Sequence, residues 1–595
     1  MNQFFKFLFA SCLGTALALL LLFFMGAGWV ASMAGSATEK EKVSIKANTV
    51  LELDFSQAIP DMTNNIETDP FALDVEDVLG VHDVVKAIRH AKGDADIKGI
   101  FLKGTNFSAG KATAATIRSA LADFKASGKF IVAYAHYYTQ DAYYLASVAD
   151  SVLLNPIGGV DFRGYASTIA FFKDMLDRLD VKMRIFYAGK FKSATEPFRL
   201  DKMSPENKLQ IREYMQVLYD HALADISGSR GMSPEVLKGI ADTYAGSSAE
   251  GAQKARLVDQ LVHEDGAYGL LRRNIGLGEK DPINRVGLED YYSSRVKNLD
   301  LSTKDKIAVV YAEGTISDGT DPVAGGVSDG AYVKLLRKIR QDKQIKAVVL
   351  RINSPGGSVL ASENIFREVL LCKEAGKPVV VSMGDVAASG GYYIGCQADS
   401  IFAEPNTLTG SIGVFGVIPI LQQTLQNKFG IRFDTVRTGK FSAFGTPFLD
   451  FSPEEERMIQ ARINDTYEDF LQKVGKGRKM TRAEVDAVAQ GRVWAGTKAL
   501  EIGLVDGIGN LDRALSAAAK LGGVEKYRVA VFPKSKTTVE QLLEKLMRKG
   551  DKDDYVAGRI IRSELRELYP FYRTFRDMRQ QTGIQMRLPF EVVIR

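Results

Sequence analysis

At 595 residues the chain is about four times the ~150 residues of a typical domain, so it must build more than one core. Its 46% hydrophobic and 25% charged residues exclude a disordered or collagen-like chain, and a net charge of +5 over this length carries no nucleic-acid footprint. Three cysteines, Cys12, Cys372 and Cys396, rule out a disulfide scaffold and a four-cysteine zinc site, and allow at most one bridge beyond the apolar N-terminus.

The first element is an apolar span. No charge falls between Lys6 and Glu39, and the centre of the stretch, residues 17–30, reads LALLLLFFMGAGWV. A helix crossing a bilayer core needs ~20 apolar residues, more than the ~7–15 of a signal peptide's apolar region. A retained single-pass anchor within residues 1–45 is therefore expected, with residues about 7–30 in the bilayer and Trp29 at its interface. The small residues of Met33–Ala37 supply the alternative, a cleaved leader. Lys40, Lys42 and Lys46 follow the span against Lys6 before it, so lysines alone lean against export of the bulk of the chain.

The rest of the chain resembles itself at an offset of about 248 residues. YYLASVADS (Tyr143–Ser151) matches YYIGCQADS (Tyr392–Ser400), and GKFKSATEPF (Gly189–Phe198) matches GKFSAFGTPF (Gly439–Phe448). DIKGIFLKG runs parallel to QIKAVVLRI, MSPE to FSPE, and LVD at Leu257–Asp259 recurs at Leu504–Asp506. Several matches in one order argue for tandem domains, each with its own core: a first repeat over 46–295 and a second over 296–535. Residues 536–595 are more charged, match nothing in the first repeat, and are expected to be a helical extension or an oligomerisation arm.

In the second repeat KIAVVYAEG, KAVVLRIN, KPVVVSMG and DSIFAEP read as strands, and AYVKLLRKIRQD, ASENIFREVLLCKEAG and ASGGYYIGCQA as helices. Short Val/Ile runs between helical patterns predict an α/β fold with a parallel sheet covered on both faces. Two glycine-rich loops sit where a strand hands over to a helix: NSPGGSV (Asn353–Val359) and AASGGYY (Ala387–Tyr393). Glycine lets backbone N–H groups approach a ligand, and the start of a helix favours negative charge. Ser389 in such a turn has the setting of a nucleophile beside an oxyanion hole.

The first repeat lacks these features. Gln140 stands opposite Ser389, and Thr105–Ala109 replaces the Pro-Gly-Gly loop. Conversely, Lys192 stands where the second repeat has Ser442. Complementary losses are what a composite site would leave; independent drift of two structural domains is the alternative. A serine needs a base. All five histidines (His82, His90, His136, His221 and His263) lie in the first half, His136 nearest the loop equivalent to that of Ser389. A lysine with pKa ~10.4 is neutral in on the order of one molecule in a thousand at pH 7, and burial raises that fraction. Lys192 has apolar neighbours in Phe191, Ala194, Pro197 and Phe198; Lys190 is the rival, but it persists in the second repeat as Lys440. No metal-ligand cluster or phosphate loop is present, so no cofactor and no metal is expected.

Together the span, the repeat, KSATEPF, NSPGGSV, AASGGYY and TGSIGVFG (Thr409–Gly416) resemble the signal peptide peptidase A (protease IV) family in its long tandem-repeat form. The resemblance implies two Clp/crotonase-like α/β domains behind a transmembrane helix. It implies a membrane-anchored serine protease that degrades signal peptides after their release, by way of an acyl-enzyme. Residue by residue, it makes Ser389 the nucleophile, Lys192 the general base, the amides of Gly356 or Gly357 and of Gly390 the oxyanion hole, and Ser411 a hydroxyl that orients the lysine. It also implies a homo-oligomer, a tetramer in the long form, with its catalytic domains on the periplasmic side of the inner membrane. PIGGVDF and IGVFGVIPIL are expected pocket walls or core segments. The competing readings are a non-catalytic membrane scaffold and an acyl-CoA hydratase or isomerase of the same fold, for which Asp385 is the nearest acid to either glycine loop. Lys192 is free to meet Ser389 within one chain or across a contact between chains.

Overall fold

The computed structural model describes residues 14, 15, 21, 25, 43–65, 78–297, 303–320, 326–534 and 585–587. The expected membrane span at about 7–30 lies outside the described residues except at positions 14, 15, 21 and 25, and among the described residues no helix is long and apolar enough to cross a membrane. Of the expected extension at 536–595, only 585–587 are described.

The first repeat contributes strands β1 (Thr49–Asp54), β2 (Ile97–Lys103), β3 (Phe130–Ala135), β4 (Ser151–Leu154), β5 (Lys182–Ala188), β6 (Gln260–Leu261) and β7 (Arg285–Gly287). All but β5 form one parallel sheet in the order β6-β4-β3-β2-β1-β7. The second repeat contributes β8 (Lys306–Glu313), β9 (Ile316–Ser317), β10 (Val327–Ser328), β11 (Ile345–Ser354), β12 (Gly356–Ser358), β13 (Val379–Ala388), β14 (Ser400–Ala403), β15 (Leu408–Gly410), β16 (Val414–Ile420), β17 (Val493–Ala495), β18 (Gly507–Ile508) and β19 (Arg528–Phe532). Its parallel strands run β18-β14-β13-β11-β8-β19, the same order as in the first repeat.

The Val-rich strands are buried on both sides. Along β8, Ile307, Val309 and Tyr311 pack with the helix Leu511–Leu521, while Ala308, Val310 and Ala312 pack with the helix Val359–Glu374. Side chains alternate across a strand, so an uninterrupted apolar run needs a cover on each face. The expected helix over ASGGYYIGCQA is shorter, Gly390–Tyr393, because tight turns at Gly395 and Ala398 return the chain directly into β14.

The motifs shared by the repeats are scaffold. Asp150 accepts from the Ile131 amide and Asp399 from the Val379 amide, each at 2.8 Å. The Asp of each LVD accepts at the next strand, Asp259 from Val152 at 2.7 Å and Asp506 from Ile401 at 2.8 Å. Tyr143 and Tyr392 each donate their buried hydroxyl to a carbonyl, Leu257 and Leu504. The two SPE motifs start helices Pro205–Arg230 and Pro453–Arg478, with Ser204 and Ser452 as N-caps and Pro at the first helical position.

A third, mixed sheet crosses between the repeats. Its order is β10-β9-β12-β20-β16-β5, where β20 is Gln585–Arg587. In it β5 of the first repeat runs antiparallel to β16 of the second, from Ala188 opposite Val414 to Lys182 opposite Ile420. Buried charge also joins the repeats. The Arg351 guanidinium on β11 donates to both Asp61 carboxylate oxygens at 2.8–3.0 Å and to Ser382 Oγ and the Met383 carbonyl, and both partners are nearly solvent-free. Cys372 and Cys396 are both buried and free, so the one bridge that their number allowed is not formed.

Removing one partner of a buried pair leaves the other charge without compensation. Asp61→Asn is expected to cost about 3–5 kcal/mol of stability, read from the urea midpoint, while Asp61→Leu combined with Arg351→Met recovers most of it. Equal midpoints for wild type and Asp61→Asn would contradict this role for the pair.

Candidate active site

Lys192 is carried by the turn that leaves β5. Gly189 has φ +102, and a Cβ there would come within 2.6 Å of the Gln490 carbonyl oxygen. Lys192 then sits at φ −73, ψ 73, with the Ser193 amide donating to the Phe191 carbonyl at 2.7 Å. That is an inverse γ-turn, which reverses the chain in three residues and aims the middle side chain outward. The turn docks on the second repeat: the Phe191 amide donates to the Gln490 carbonyl at 2.8 Å. Gly491, at φ +75, abuts Lys192 so closely that a Cβ would fall 2.6–2.7 Å from the lysine's Cβ, Cα and N.

Ser389 follows β13 at φ 56, ψ −116. A non-glycine residue holds such a conformation at a cost of about 1–3 kcal/mol, and only where surrounding bonds fix it. The Ser389 amide donates to the Gly410 carbonyl and its own carbonyl accepts from the Tyr393 amide, both at 2.8 Å. Ser411, at φ 52, is held by its amide donating to the Arg492 carbonyl at 2.7 Å.

These turns meet within one chain. Lys192 Nζ lies 2.9 Å from Ser389 Oγ, 2.9 Å from Ser411 Oγ and 3.0 Å from the Ser411 carbonyl oxygen. Ser389 is 0% exposed, and Lys192 and Ser411 are each 1% exposed. None of the three hydrogen-bond partners of Nζ is a carboxylate. Burial therefore holds the Lys192 pKa well below the ordinary lysine range.

The glycines cluster beside the serine. A Cβ on Gly356 (φ +94) would lie 2.6 Å from the Gly390 nitrogen, and one on Gly390 would lie 3.1 Å from the Gly357 nitrogen. The Gly356 amide is taken by Ser354 Oγ at 3.1 Å, so Gly357 rather than Gly356 is the loop glycine to set beside Gly390 as an oxyanion donor. IGVFGVIPIL supplies β16 in the adjoining sheet, whereas PIGGVDF belongs to the first repeat, where Val160 and Phe162 are core.

The other candidates lie elsewhere. His136 is exposed and packs edge-on against Tyr134. Lys190 is an exposed residue over the Phe191 ring, and its counterpart Lys440 pairs with Glu454 on the surface. Asp385 accepts from the Ala112 and Thr113 amides at 2.8 and 2.9 Å and from Thr113 Oγ1 at 2.6 Å. It thereby caps the helix Lys111–Lys125 of the first repeat. Gln140, opposite Ser389 in the first repeat, accepts from the Arg163 and Gly164 amides. Among the described residues no group of His, Cys, Asp and Glu is placed to hold a metal ion.

Sequence reasoning missed the brace behind the lysine. Gln210 Nε2 donates to the Phe191 carbonyl (3.1 Å) and Ser193 Oγ (3.0 Å), while its Oε1 accepts from the Val493 amide of the second repeat (3.2 Å). Buried Glu196 accepts from the Ser204 amide and hydroxyl and from Asn207 Nδ2. The signal was present in KSATEPF, where an acid stands among apolar residues, but its partners lie in the next helix.

The lowered pKa of Lys192 makes stability depend on pH. The unfolded chain protonates this amine up to ~10.4, so unfolding takes up a proton and stability rises with pH between the lowered pKa and that value. Lys192→Met is expected to melt above the wild type at pH 7, with the gap closing as pH approaches 10. A gap independent of pH would show that the ammonium is not desolvated.

The family comparison finds this domain twice. The model for peptidase family S49 matches residues 123–277 and again 372–525. Protease 4 of Salmonella typhi is 37% identical over 472 residues, covering 78% of this chain and 75% of that protein. The chloroplastic serine protease SPPA of Arabidopsis thaliana is 29% identical over 458 residues, 76% of this chain and 67% of that protein. A putative signal peptide peptidase SppA of Enterococcus faecium is 38% identical over 189 residues, 32% of this chain and 55% of that protein. With its two matched repeats and its similarity to protease 4 over three quarters of that protein, the chain belongs to peptidase family S49.

Proposed function

We propose that the chain is a membrane-anchored serine endopeptidase that degrades apolar peptides, such as signal peptides already cut from their precursors. The reading is carried by one observation, the 2.9 Å approach of Lys192 Nζ to Ser389 Oγ where both side chains are withdrawn from solvent. The relatives named serine protease and signal peptide peptidase support the reaction type and the substrate class. The competing hydratase reading loses its acid, since Asp385 is committed to the helix cap.

In this mechanism the Ser389 hydroxyl donates its proton to the lone pair of neutral Lys192, and Oγ attacks the peptide carbonyl. The Gly357 and Gly390 amides receive the oxyanion, worth about 3–4 kcal/mol per donor in comparable sites. The Ser411 hydroxyl and carbonyl accept from Nζ–H and hold the lone pair toward Ser389. The ammonium returns its proton to the leaving amine, which departs and leaves an acyl-serine. Lys192 then deprotonates the water that hydrolyses this ester.

Residues about 7–30 anchor the chain in the inner membrane, with the repeats on the periplasmic side where released signal peptides can be reached. The uncharged span supports the anchor, and the resemblance to exported protease IV supports the side. The active form is a homo-oligomer, a tetramer. Its support is a segment of the second repeat, residues 431–437, which overlaps the equivalent of β5 (432–438 by the match of Gly189 with Gly439). Among the described residues this segment pairs with no strand, and it exposes Ile431, Phe433 and Val436 beside Phe441, Phe444 and Phe448. Residues 165–172 of a second copy, equivalent to β16, would supply the missing strand.

Ser389→Ala and Lys192→Ala are each expected to lower peptidase kcat by roughly 10³-fold or more with the fold retained. Near-normal turnover by Lys192→Ala would overturn the dyad. The wild-type kcat/KM should rise with pH through the lowered Lys192 pKa and level off before ~10.4. Val436→Asp is expected to shift the assembly toward smaller species in sedimentation velocity; an unchanged distribution would remove the 431–437 edge from the interface.

A further inference from the structure

The strand lying against the glycine cradle comes from the far end of the chain. Strand β20, Gln585–Arg587, inserts between β12 and β16 and is antiparallel to both. Gly357 stands opposite Met586, Gly356 opposite Arg587 and Ser358 opposite Gln585. Met586 is 0% exposed and packs into the core of the second repeat. Its carbonyl oxygen lies so close to Gly356 that a Cβ there would overlap it, and a Cβ on Gly390 would lie 3.0 Å from the same oxygen. The three glycines assigned to the oxyanion site thus surround a peptide carbonyl of this chain itself.

A peptidase that takes extended substrates needs an open strand edge beside its nucleophile, and a carbonyl placed against the oxyanion donors. Strand β20 meets both requirements. It uses the β12 edge that a substrate would use, and it sets an unbranched apolar side chain at the position of the residue whose carbonyl is attacked. With β20 in place Ser389 and Lys192 are out of solvent.

We propose that the C-terminal segment Gln585–Arg587 is an intramolecular occupant of the substrate groove, bound by strand addition with Met586 in the seat next to Ser389, so that a substrate must displace it. The proposal rests on Ser389 being the nucleophile. Because occupant and site belong to one chain, displacement is a unimolecular opening, and the apparent dissociation constant for any peptide is the intrinsic one divided by the open fraction. The seat accepts an unbranched apolar side chain and rejects charge, which also defines the residue preferred in substrates at that position.

The test uses the full chain, with intact mass confirming that residues 585–595 are present. Met586→Asp places a carboxylate in the apolar seat and should empty it, whereas Met586→Leu should not. For a short apolar fluorogenic peptide, Met586→Asp is expected to lower KM by roughly tenfold, the change for a groove open about one tenth of the time, with kcat unchanged. Met586→Leu should behave as wild type, and a synthetic peptide of residues 582–589 should inhibit Met586→Asp competitively. Equal KM in wild type and Met586→Asp, or no competition by the peptide, would overturn the proposal. If no form turns over any peptide, the nucleophile assignment has failed instead. Fluorescence anisotropy of the labelled 582–589 peptide then decides occupancy alone: tighter binding to Met586→Asp than to wild type supports it, and equal binding refutes it.

Discussion

Keeping an ammonium where this fold places Lys192 would cost several kcal/mol, because no carboxylate is among its hydrogen-bond partners and its side chain is withdrawn from solvent. Burial therefore holds its pKa well below the ordinary lysine range, and the proposed mechanism uses the neutral amine as the base for the neighbouring hydroxyl. The other features of the site serve this condition. The inverse γ-turn delivers the side chain, Gly491 lets the second repeat close over its backbone, and Ser411 supplies two neutral acceptors in place of an acid. A carboxylate in the position of Ser411 would restore the ammonium and remove the base.

Two copies of one domain provide the dryness that neither would provide alone. The β5–β16 ladder fixes the register between repeats, and a one-residue slip in it would turn the lysine's turn away from the serine. Asp61–Arg351 and the Asp385 cap fasten the same boundary from the other side of the sheet. Asp385 lies four residues before Ser389 on the same strand end, so the loop that holds Ser389 is tied directly to the repeat that carries Lys192. After duplication, each copy could lose the half of the site that the other retained. Gln140 and Ser442 mark those losses: the first now satisfies loop amides, and the second sits on the surface.

Strand β20 places residues 585–587 in the same sheet as the strand that leads to Lys192, so the glycine cradle, the inter-repeat ladder and this C-terminal segment share one set of hydrogen-bonded edges. A change at any of them reaches the others through strand pairing and requires no separate linkage.

The sequence by itself determined the duplicated α/β architecture, because Val-rich runs between amphipathic helices have one economical packing, and repeated residues such as Asp150/Asp399 and Tyr143/Tyr392 carry identical local bonds. It also singled out Ser389 and Lys192, through what each copy lacks. Tertiary structure alone decided that the two meet within one chain, that the Gly356 amide is taken by Ser354, that Asp385 is a cap, and that Gln210 and Gly491 hold the lysine turn. The division has a physical cause. Periodicity and turn chemistry are local and can be read along the chain, whereas dryness at an amine depends on atoms hundreds of residues away and exists only once the two repeats have closed upon each other.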